Sequence, residues 1–248
     1  MIPGRSNPER SLAPVTQRKY GSPMLIAEEF FLLAHDERTG KAKTGSLQMR
    51  AAIPGALLVE LVVRERIAIA PHDLGWRERD KVTVLLDRTT EDRILDEALL
   101  EVQKRAGKSA NSIVQRWANG KTGKHFIDLV AGRLVAAGIL GQERHKALGI
   151  FPVAHYPERD PGPEAEVRAR VNAALLGAST DQRTAILIAM LLATRTLTTV
   201  LSPETDPKAA KRAAKRIAKQ EITSTAVKAA IEQVIASAGA SAAAAGGA

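Results

Sequence analysis

A run of basic residues near the carboxyl end of the chain has the spacing of an anion-binding helix face. The segment 208–219, KAAKRAAKRIAK, contains no acidic residue, and its cations recur every three or four positions, so a helix places them on one side. They are Lys208, Lys211, Arg212, Lys215, Arg216 and Lys219, and the opposite side carries Ala209, Ala210, Ala213, Ala214 and Ile217. Such a stripe either contacts an anionic lipid surface, at about 1 kcal/mol per charge, or forms the solvated outer face of its helix.

The residue types that most often carry out catalysis are present but are not arranged for it. The histidines fall on predicted turns and element ends, and none has the spacing of a zinc site: His35, His72, His125, His145 and His155. Asp96 and Glu97 are adjacent on a predicted helix, so their side chains point about 100° apart, which suits a paired acid and base poorly. The chain has no cysteine and no glycine-rich phosphate loop. The sequence therefore predicts a non-enzymatic protein with no metal site and no cofactor.

Charge and composition narrow the class of partner. Among 248 residues, 36 are Lys or Arg and 27 are Asp or Glu, which gives a net charge of +9 and an attraction for polyanions. The longest uninterrupted apolar run, 185–193, is well short of the roughly 18 residues that a membrane span needs. The amino-terminal residues lack the apolar core of a secretory signal. We expect a cytoplasmic protein, either soluble or peripheral on a membrane.

The element that must organise the fold is IPGALLVELVVRER, residues 53–66. Glu60 is the single charge between 53 and 63, and a helix that is apolar nearly all round must be enclosed by others. Pro54 suits the first turn of this helix. Glu60 and Arg64 are four residues apart, so a salt bridge at the helix edge is expected. Catalysis by Glu60 is the less favoured alternative, because no acid or histidine partner lies nearby in sequence.

Periodicity and turn residues predict a mainly α fold: a helical bundle around this buried central helix, with peripheral amphipathic helices and one or two short β-hairpins. Helices are expected at 24–34, 92–104, 108–119, 124–137, 185–192, 208–219 and 225–236. In the first of them, Glu28 and Glu29 are expected on the outer side. The stretch 41–50 is expected to be a loop. Strands at 66–70 and 81–86 would form one hairpin, and 139–140 would pair with 148–153 around a polar turn to form the other.

The domain organisation follows from composition. Residues 1–23 are expected to be a flexible tail, 24–236 a single helical domain and 237–248 a low-complexity tail. A different interpretation of 92–153 is a winged helix, since three helices precede a hairpin. In that arrangement 124–137 would be the recognition helix, but it offers few donors to a nucleic acid and carries an opposing acid: Lys124, His125 and Arg133, against Asp128. Nucleic-acid binding is therefore the less favoured interpretation.

Six segments add a further signal through their order and spacing. They are LIAEEFFLLAHDERTGK (25–41), IPGALLVELVVRERI (53–67), ILDEALLEVQK (94–104), VQRW (114–117), LVAAGIL with LGIFPVAHYP (134–157) and DQRTAILIAMLLA (181–193). Together they resemble the Golgi phosphoprotein 3 family of GPP-type domains, over roughly residues 24–236. The resemblance implies a helical domain with a protruding β-hairpin. It also implies a peripheral membrane protein that binds phosphatidylinositol 4-phosphate and acts as an adaptor for membrane enzymes.

The resemblance also implies where a lipid headgroup binds. The family pocket uses a Trp and an Arg before and at the start of the central helix, and two basic residues on the helix before the hairpin. The matching positions here are Gly45, Pro54, Lys124 and Ile127, of which only Lys124 keeps the chemistry. The neighbouring cations expected to substitute are Lys41, Lys43, Arg50 and Lys121.

The family hairpin presents apolar residues to the membrane and mediates oligomer contacts. Leu148, Ile150 and Phe151 are the corresponding residues here, with ordinary core packing as their alternative role. The sequence thus predicts a non-enzymatic protein on the cytoplasmic face of a membrane that binds anionic lipid headgroups. The expected partners are anionic lipids, the tails of membrane enzymes and a second copy of the chain through the hairpin. A winged-helix nucleic-acid binder and a protein-interaction scaffold are the alternatives.

Overall fold

The central helix, α2, is longer than the sequence pattern indicated. The computed structural model describes residues 23–75, 77–147, 151–222, 224–225 and 227–232. In it α2 runs over Ser46–Val63 and is buried from Ala51 to Val62. The expected loop at 41–50 is therefore wrong from Ser46 onward, because the side chain of Gln48 caps the helix by accepting the Gly45 amide at 3.0 Å.

Pro54 lies inside α2, not in its first turn, which corrects its predicted position. Among the described residues, α2 is also the one helix long and apolar enough for a membrane span, but 72% of that window is buried inside the protein. Such burial is what a core helix shows.

Helices surround α2 in two groups. The first group packs directly on it: α1 (Ile26–Leu33), α3 (Arg93–Gln103), α4 (Ala110–Asn119) and α5 (Lys121–Ala136). The second group comprises α6 (Gly162–Leu175), α7 (Gln182–Ala193) and α8 (Pro207–Gln220), with a short 3-10 turn at Leu197–Thr199. Helix α1 contacts members of both groups. The predicted mainly α fold around a buried central helix is confirmed.

The expectation that Glu28 and Glu29 lie on the outer side of the first helix is wrong. Every residue of α1 is buried, and each of these two glutamates is only 4% exposed. Helix α1 lies between the two groups of helices, so it has no outer side, and its carboxylates are matched by arginines from other helices.

Two antiparallel hairpins complete the fold. Strand β1 (Ile67–Ile69) pairs with β2 (Val82–Val84), as expected, with Ala68 opposite Thr83. Strand β3 (Glu143–Ala147) pairs with β4 (Phe151–His155), with Glu143 opposite His155. The first strand of the second hairpin is thus the segment predicted as a turn. Ile139 and Leu140, predicted as that strand, are buried instead at the foot of the hairpin.

Several predictions concern residues outside the described part of the chain. Residues 1–22 and 233–248 are among them, so the two tails, and the single domain over 24–236, stay predictions. Leu148 and Ile150 also lie outside the described residues. Phe151 begins β4, but its side chain is not among those described.

Candidate functional site

The predicted basic stripe lies on α8. The Asp206 carboxylate caps this helix by accepting the amides of Lys208 and Ala209 at 3.1 and 3.0 Å. On the side facing the protein, where α8 packs on α7, the buried residues are Ala210, Ala213, Ala214 and Ile217. Ala209 was expected on this side but is exposed, because it lies about 90° around the helix from the centre of the buried face.

All six cations of the stripe are exposed: Lys208, Lys211, Arg212, Lys215, Arg216 and Lys219. None forms an ion pair with a carboxylate of the described residues. The single-sided arrangement predicted from the spacing is therefore confirmed. Six exposed charges of one sign on a rigid helix form a surface that attracts an extended anionic partner.

A second group of cations lines a cleft beside the β3–β4 hairpin. The cleft has a volume of about 560 Å³ and lies between the turn at 38–41 and the two strands. It is lined by Arg38, Thr39, Lys41, Glu143, His145, Val153 and His155. The rings of His145 and His155 stack with their centroids 4.2 Å apart, and His145 Nε2 lies 3.0 Å from Glu143 Oε2.

The electrostatics of this hairpin cleft favour an anion. Partial burial lowers the pKa of His155, and the positive charges of His145 and Lys41 lower it further. The Glu143 carboxylate acts in the opposite direction, and the lasting positive charges of the cleft are those of Arg38 and Lys41. Within the described ranges, no group of three or more His, Asp or Glu side chains could hold a metal ion.

Glu60 is a structural residue in a buried charge network. Its Oε1 lies 3.1 Å from Arg64 Nε, which confirms the predicted pair, and its Oε2 accepts the Ile26 amide at 2.9 Å. Arg183 of α7 lies 3.4 Å from Glu60 and 3.3 Å from Glu29. Burial acts to lower the pKa of Arg183, but the carboxylates of Glu29 and Glu60 outweigh it and raise the pKa. Both carboxylate oxygens of Glu60 are engaged, so this group stabilises the fold.

The three side chains that a recognition helix at α5 would use as donors are paired with acids of the protein. Lys124 Nζ lies 2.6 Å from Asp128, and His125 Nε2 lies 2.7 Å from Glu97. Arg133 is held at 2.6 Å by buried acids of neighbouring elements. Each of the three groups named for base or phosphate contacts is therefore paired with a carboxylate.

Comparison with known proteins decides the family. The family model for Golgi phosphoprotein 3 (GPP34) matches residues 26–234. The chain belongs to the GPP34 family. No curated protein matches it.

The family's headgroup pocket is altered in this GPP34 chain. Gly45 precedes the first residue of α2, and Pro54 is buried within that helix. Lys124 is exposed but paired with Asp128, and Ile127 is partly buried against the core. At the positions that the resemblance assigns to the pocket, the structure therefore places one cation, and its charge is neutralised locally.

The neighbouring cations do not converge on that position either. Lys43 is 3.1 Å from Glu37 with its side chain only 14% exposed, and the Arg50 guanidinium donates to the carbonyl of Gly120. Lys121 lines a cleft together with Glu97, Glu101 and other residues of α3 and α5. Lys41 is the one of these four that lines the hairpin cleft, where further cations accompany it.

Sequence reasoning missed three other residues of the hairpin cleft that can donate to an anion: Arg38, His145 and His155. The two histidines come together only through the register of β3 and β4. The residues on β3 are polar and carry no apolar alternation, so the strand itself was not predicted. The available signal was a pair of histidines on either side of the apolar sequence LGIFPV, residues 148–153.

Proposed function

We propose that this GPP34 chain is a non-enzymatic peripheral membrane protein that binds anionic lipid headgroups on the cytoplasmic face of a membrane. The observation that carries the proposal is the exposed, unpaired basic stripe of α8. Membership of the family supports it. An adaptor role for membrane enzymes, and oligomer contacts through Leu148, Ile150 and Phe151, belong to the same proposal.

The basic stripe determines how the protein contacts a membrane. Each charge near an anionic leaflet contributes about 1 kcal/mol, so several acting together suffice for reversible attachment. The apolar residues of α8 are buried against the protein, so the helix contacts the membrane by charge without inserting. Raising the ionic strength from about 0.1 M to about 1 M shortens the Debye length from about 10 Å to about 3 Å. Attachment is therefore expected to weaken strongly with salt.

In this proposal the hairpin cleft determines which lipid headgroup the protein prefers. Lys41, a predicted headgroup ligand, lines it together with Arg38, His145 and His155. Several converging donors are what a phosphate group requires, and the α5 position no longer offers them. We expect Arg38→Gln with Lys41→Gln to reduce any preference for phosphatidylinositol 4-phosphate over phosphatidylserine while binding to both is retained.

Sedimentation with vesicles of phosphatidylserine or of neutral phosphatidylcholine tests the proposal. The stripe variant carries Lys208→Gln, Lys211→Gln, Arg212→Gln and Arg216→Gln. The control variant removes the same number of positive charges from exposed sites on or near α3 and α4, as Arg93→Gln, Lys104→Gln, Lys108→Gln and Arg116→Gln. We expect the stripe variant to bind anionic vesicles at least about tenfold more weakly than the control variant.

Two results would count against the proposal. Equal binding of the native chain to anionic and neutral vesicles at low salt would remove the charge-based mechanism. Equal losses in the stripe and control variants would mean that net charge matters and the stripe does not.

A further inference from the structure

An apolar cleft with a volume of about 590 Å³ opens beside α8, between the end of α7 and the described residues 222 and 227–232. Its walls are formed by Ala189, Leu192, Ala193, Ala218, Ile222 and Ile231. This volume lies within the roughly 300–1,000 Å³ typical of small-molecule sites, which are lined mainly by apolar side chains and carry a few polar groups. The cleft therefore has the size and lining of a binding site for an elongated apolar group.

Cations surround this cleft on several sides. Arg195 follows α7, Lys215 and Lys219 lie on α8, and Lys228 lies in the segment 227–232. All four are exposed, and none pairs with a carboxylate in the part of the chain that the structure describes. Glu232 is the single acid among the lining residues. The mouth of the cleft is thus positive, while its walls are apolar.

Arg195 has a fixed place at the end of α7. Its φ of 60° lies in the left-handed region, where glycine is the usual residue after a helix. The amides of Arg195 and Thr196 donate to the carbonyls of Leu192 and Leu191, so this conformation closes the end of α7. Its position just beyond α7 places Arg195 among the residues that line the cleft.

We propose that this cleft binds a long-chain fatty acid in monomeric form, with the alkyl chain along the apolar walls and the carboxylate among the four cations. An alkyl chain gains free energy by leaving water for these walls. A carboxylate at the mouth offsets the excess of positive charge, which a cationic or neutral amphiphile does not. The inference goes beyond membrane attachment, because the ligand is taken from water and no bilayer is required.

Titration calorimetry with dodecanoate, below its micelle concentration, tests the inference on the full chain. Dodecyltrimethylammonium is the matched probe, since its alkyl chain is of nearly the same length and its charge is opposite. We expect dodecanoate to bind at least about tenfold more tightly than dodecyltrimethylammonium. Equal affinity for the two probes, or no binding of dodecanoate, overturns the inference.

Variants then locate the binding. Ala218→Phe fills the cleft from a partly exposed wall, while Ala209→Phe adds the same ring on the exposed surface of the same helix. We expect Ala218→Phe to weaken dodecanoate binding at least about tenfold and Ala209→Phe to leave it unchanged. Arg195→Gln with Lys228→Gln should remove the preference for the anionic probe, whereas the control variant with changes at 93, 104, 108 and 116 should keep it. Equal effects of the two phenylalanines would contradict the assignment.

Other occupants give different results. If residues 233–248, which follow the lining residue Glu232, filled the cleft, the native chain would bind neither probe. If a second copy filled it, light scattering would show a dimer that Ala218→Phe converts to a monomer. Either result overturns the inference. The stripe variant separates it from the proposed function, because Lys208, Lys211, Arg212 and Arg216 do not line the cleft and their loss should weaken vesicle binding only.

Discussion

At the scale of single residues, His35 is an enclosed histidine that links stability to pH. It is 7% exposed, its Nδ1–H donates to the carbonyl of Phe31 at 2.7 Å, and its ring stacks on the Phe31 ring. Burial lowers the pKa of His35 from 6.5 to about 4, and the positive charges of Lys43 and His155 act in the same direction. The folded protein therefore holds His35 neutral where the unfolded chain would protonate it.

The sign of the pH dependence follows from that depressed pKa. Between pH 6.5 and about 4 the unfolded chain binds a proton that the folded protein does not, so stability falls as pH decreases through this range. The full loss from this group is roughly 3 kcal/mol, at about 1.4 kcal/mol per unit of pKa. We expect His35→Gln to unfold in urea with a flatter pH dependence below pH 6.5 than the native chain. Parallel curves for the two proteins would contradict this.

Glu158 contributes the opposite slope. Its burial, followed by the charges of Glu164 and Glu37, raises the pKa of Glu158 from 4.5 to about 7. The folded protein then keeps a proton that the unfolded chain has lost, so this group reduces stability as pH rises from 4.5 to about 7. Because Glu158 is half-exposed, screening by solvent keeps the effect under about 1 kcal/mol. It is present in both the native chain and His35→Gln, so it cancels in their difference.

At the scale of elements, the contact between α2 and α5 depends on a proline and a glycine. Pro54 has no N–H to donate to the carbonyl of Arg50 four residues earlier. That carbonyl faces Gly123 of α5, where an added Cβ would lie 3.0 Å from it and 2.6 Å from the Trp117 carbonyl. Both obstacles are backbone atoms of packed helices. Only glycine therefore allows α5 to approach α2 this closely.

We expect Gly123→Ala to lower the free energy of unfolding by about 1–3 kcal/mol, as overpacking of a rigid contact does. The matched control is Gly132→Ala in the same helix, where an added Cβ meets nothing within 4 Å. There the lower backbone entropy of alanine should stabilise the helix by about 0.5–1 kcal/mol. Urea denaturation of both variants measures the two effects, and destabilisation of similar size in both would contradict the packing argument.

Sequence patterns gave correct predictions for elements whose structure depends only on residues within the same segment. The buried face of α8 follows from spacing within the helix, so its prediction was correct except at Ala209. The start of α2 was missed because SLQMR has polar and basic residues and its cap is formed by Gln48 from within. Strand β3 was missed because its residues are polar and their pairing with β4 is not local.

At the scale of the whole molecule, α1 joins the helices around α2 to those of the second group. Its glutamates carry much of this connection: Glu28 meets Arg133 of α5 at 2.6 Å, and Glu29 meets Arg170 of α6 at 2.9 Å. These partners are more than a hundred residues away in sequence, so no local pattern could reveal them. The stripe of α8 was predictable because its residues lie within one helix. The hairpin cleft was not, because it combines a turn with two strands that are far from it in sequence.

Arg183 links the two groups through three contacts. Its guanidinium reaches Glu29 of α1 and Glu60 of α2 and also donates to the carbonyl of Met24. Replacing it with methionine leaves buried carboxylates short of a counter-charge, which typically costs 3–5 kcal/mol. Since Arg170 and Arg64 still pair with these carboxylates, we expect a loss of about 3 kcal/mol for Arg183→Met.

The control for Arg183→Met is Arg93→Met. Arg93 forms a single pair with Glu97 and its side chain is 84% exposed, so its loss should cost under about 1 kcal/mol. Adding Glu60→Gln to Arg183→Met should recover at least about 0.5 kcal/mol, because it removes one of the uncompensated buried charges. Chemical denaturation of the single and double variants measures this coupling. Strictly additive losses would mean that Arg183 acts by packing alone and that the charge network does not hold the two groups together.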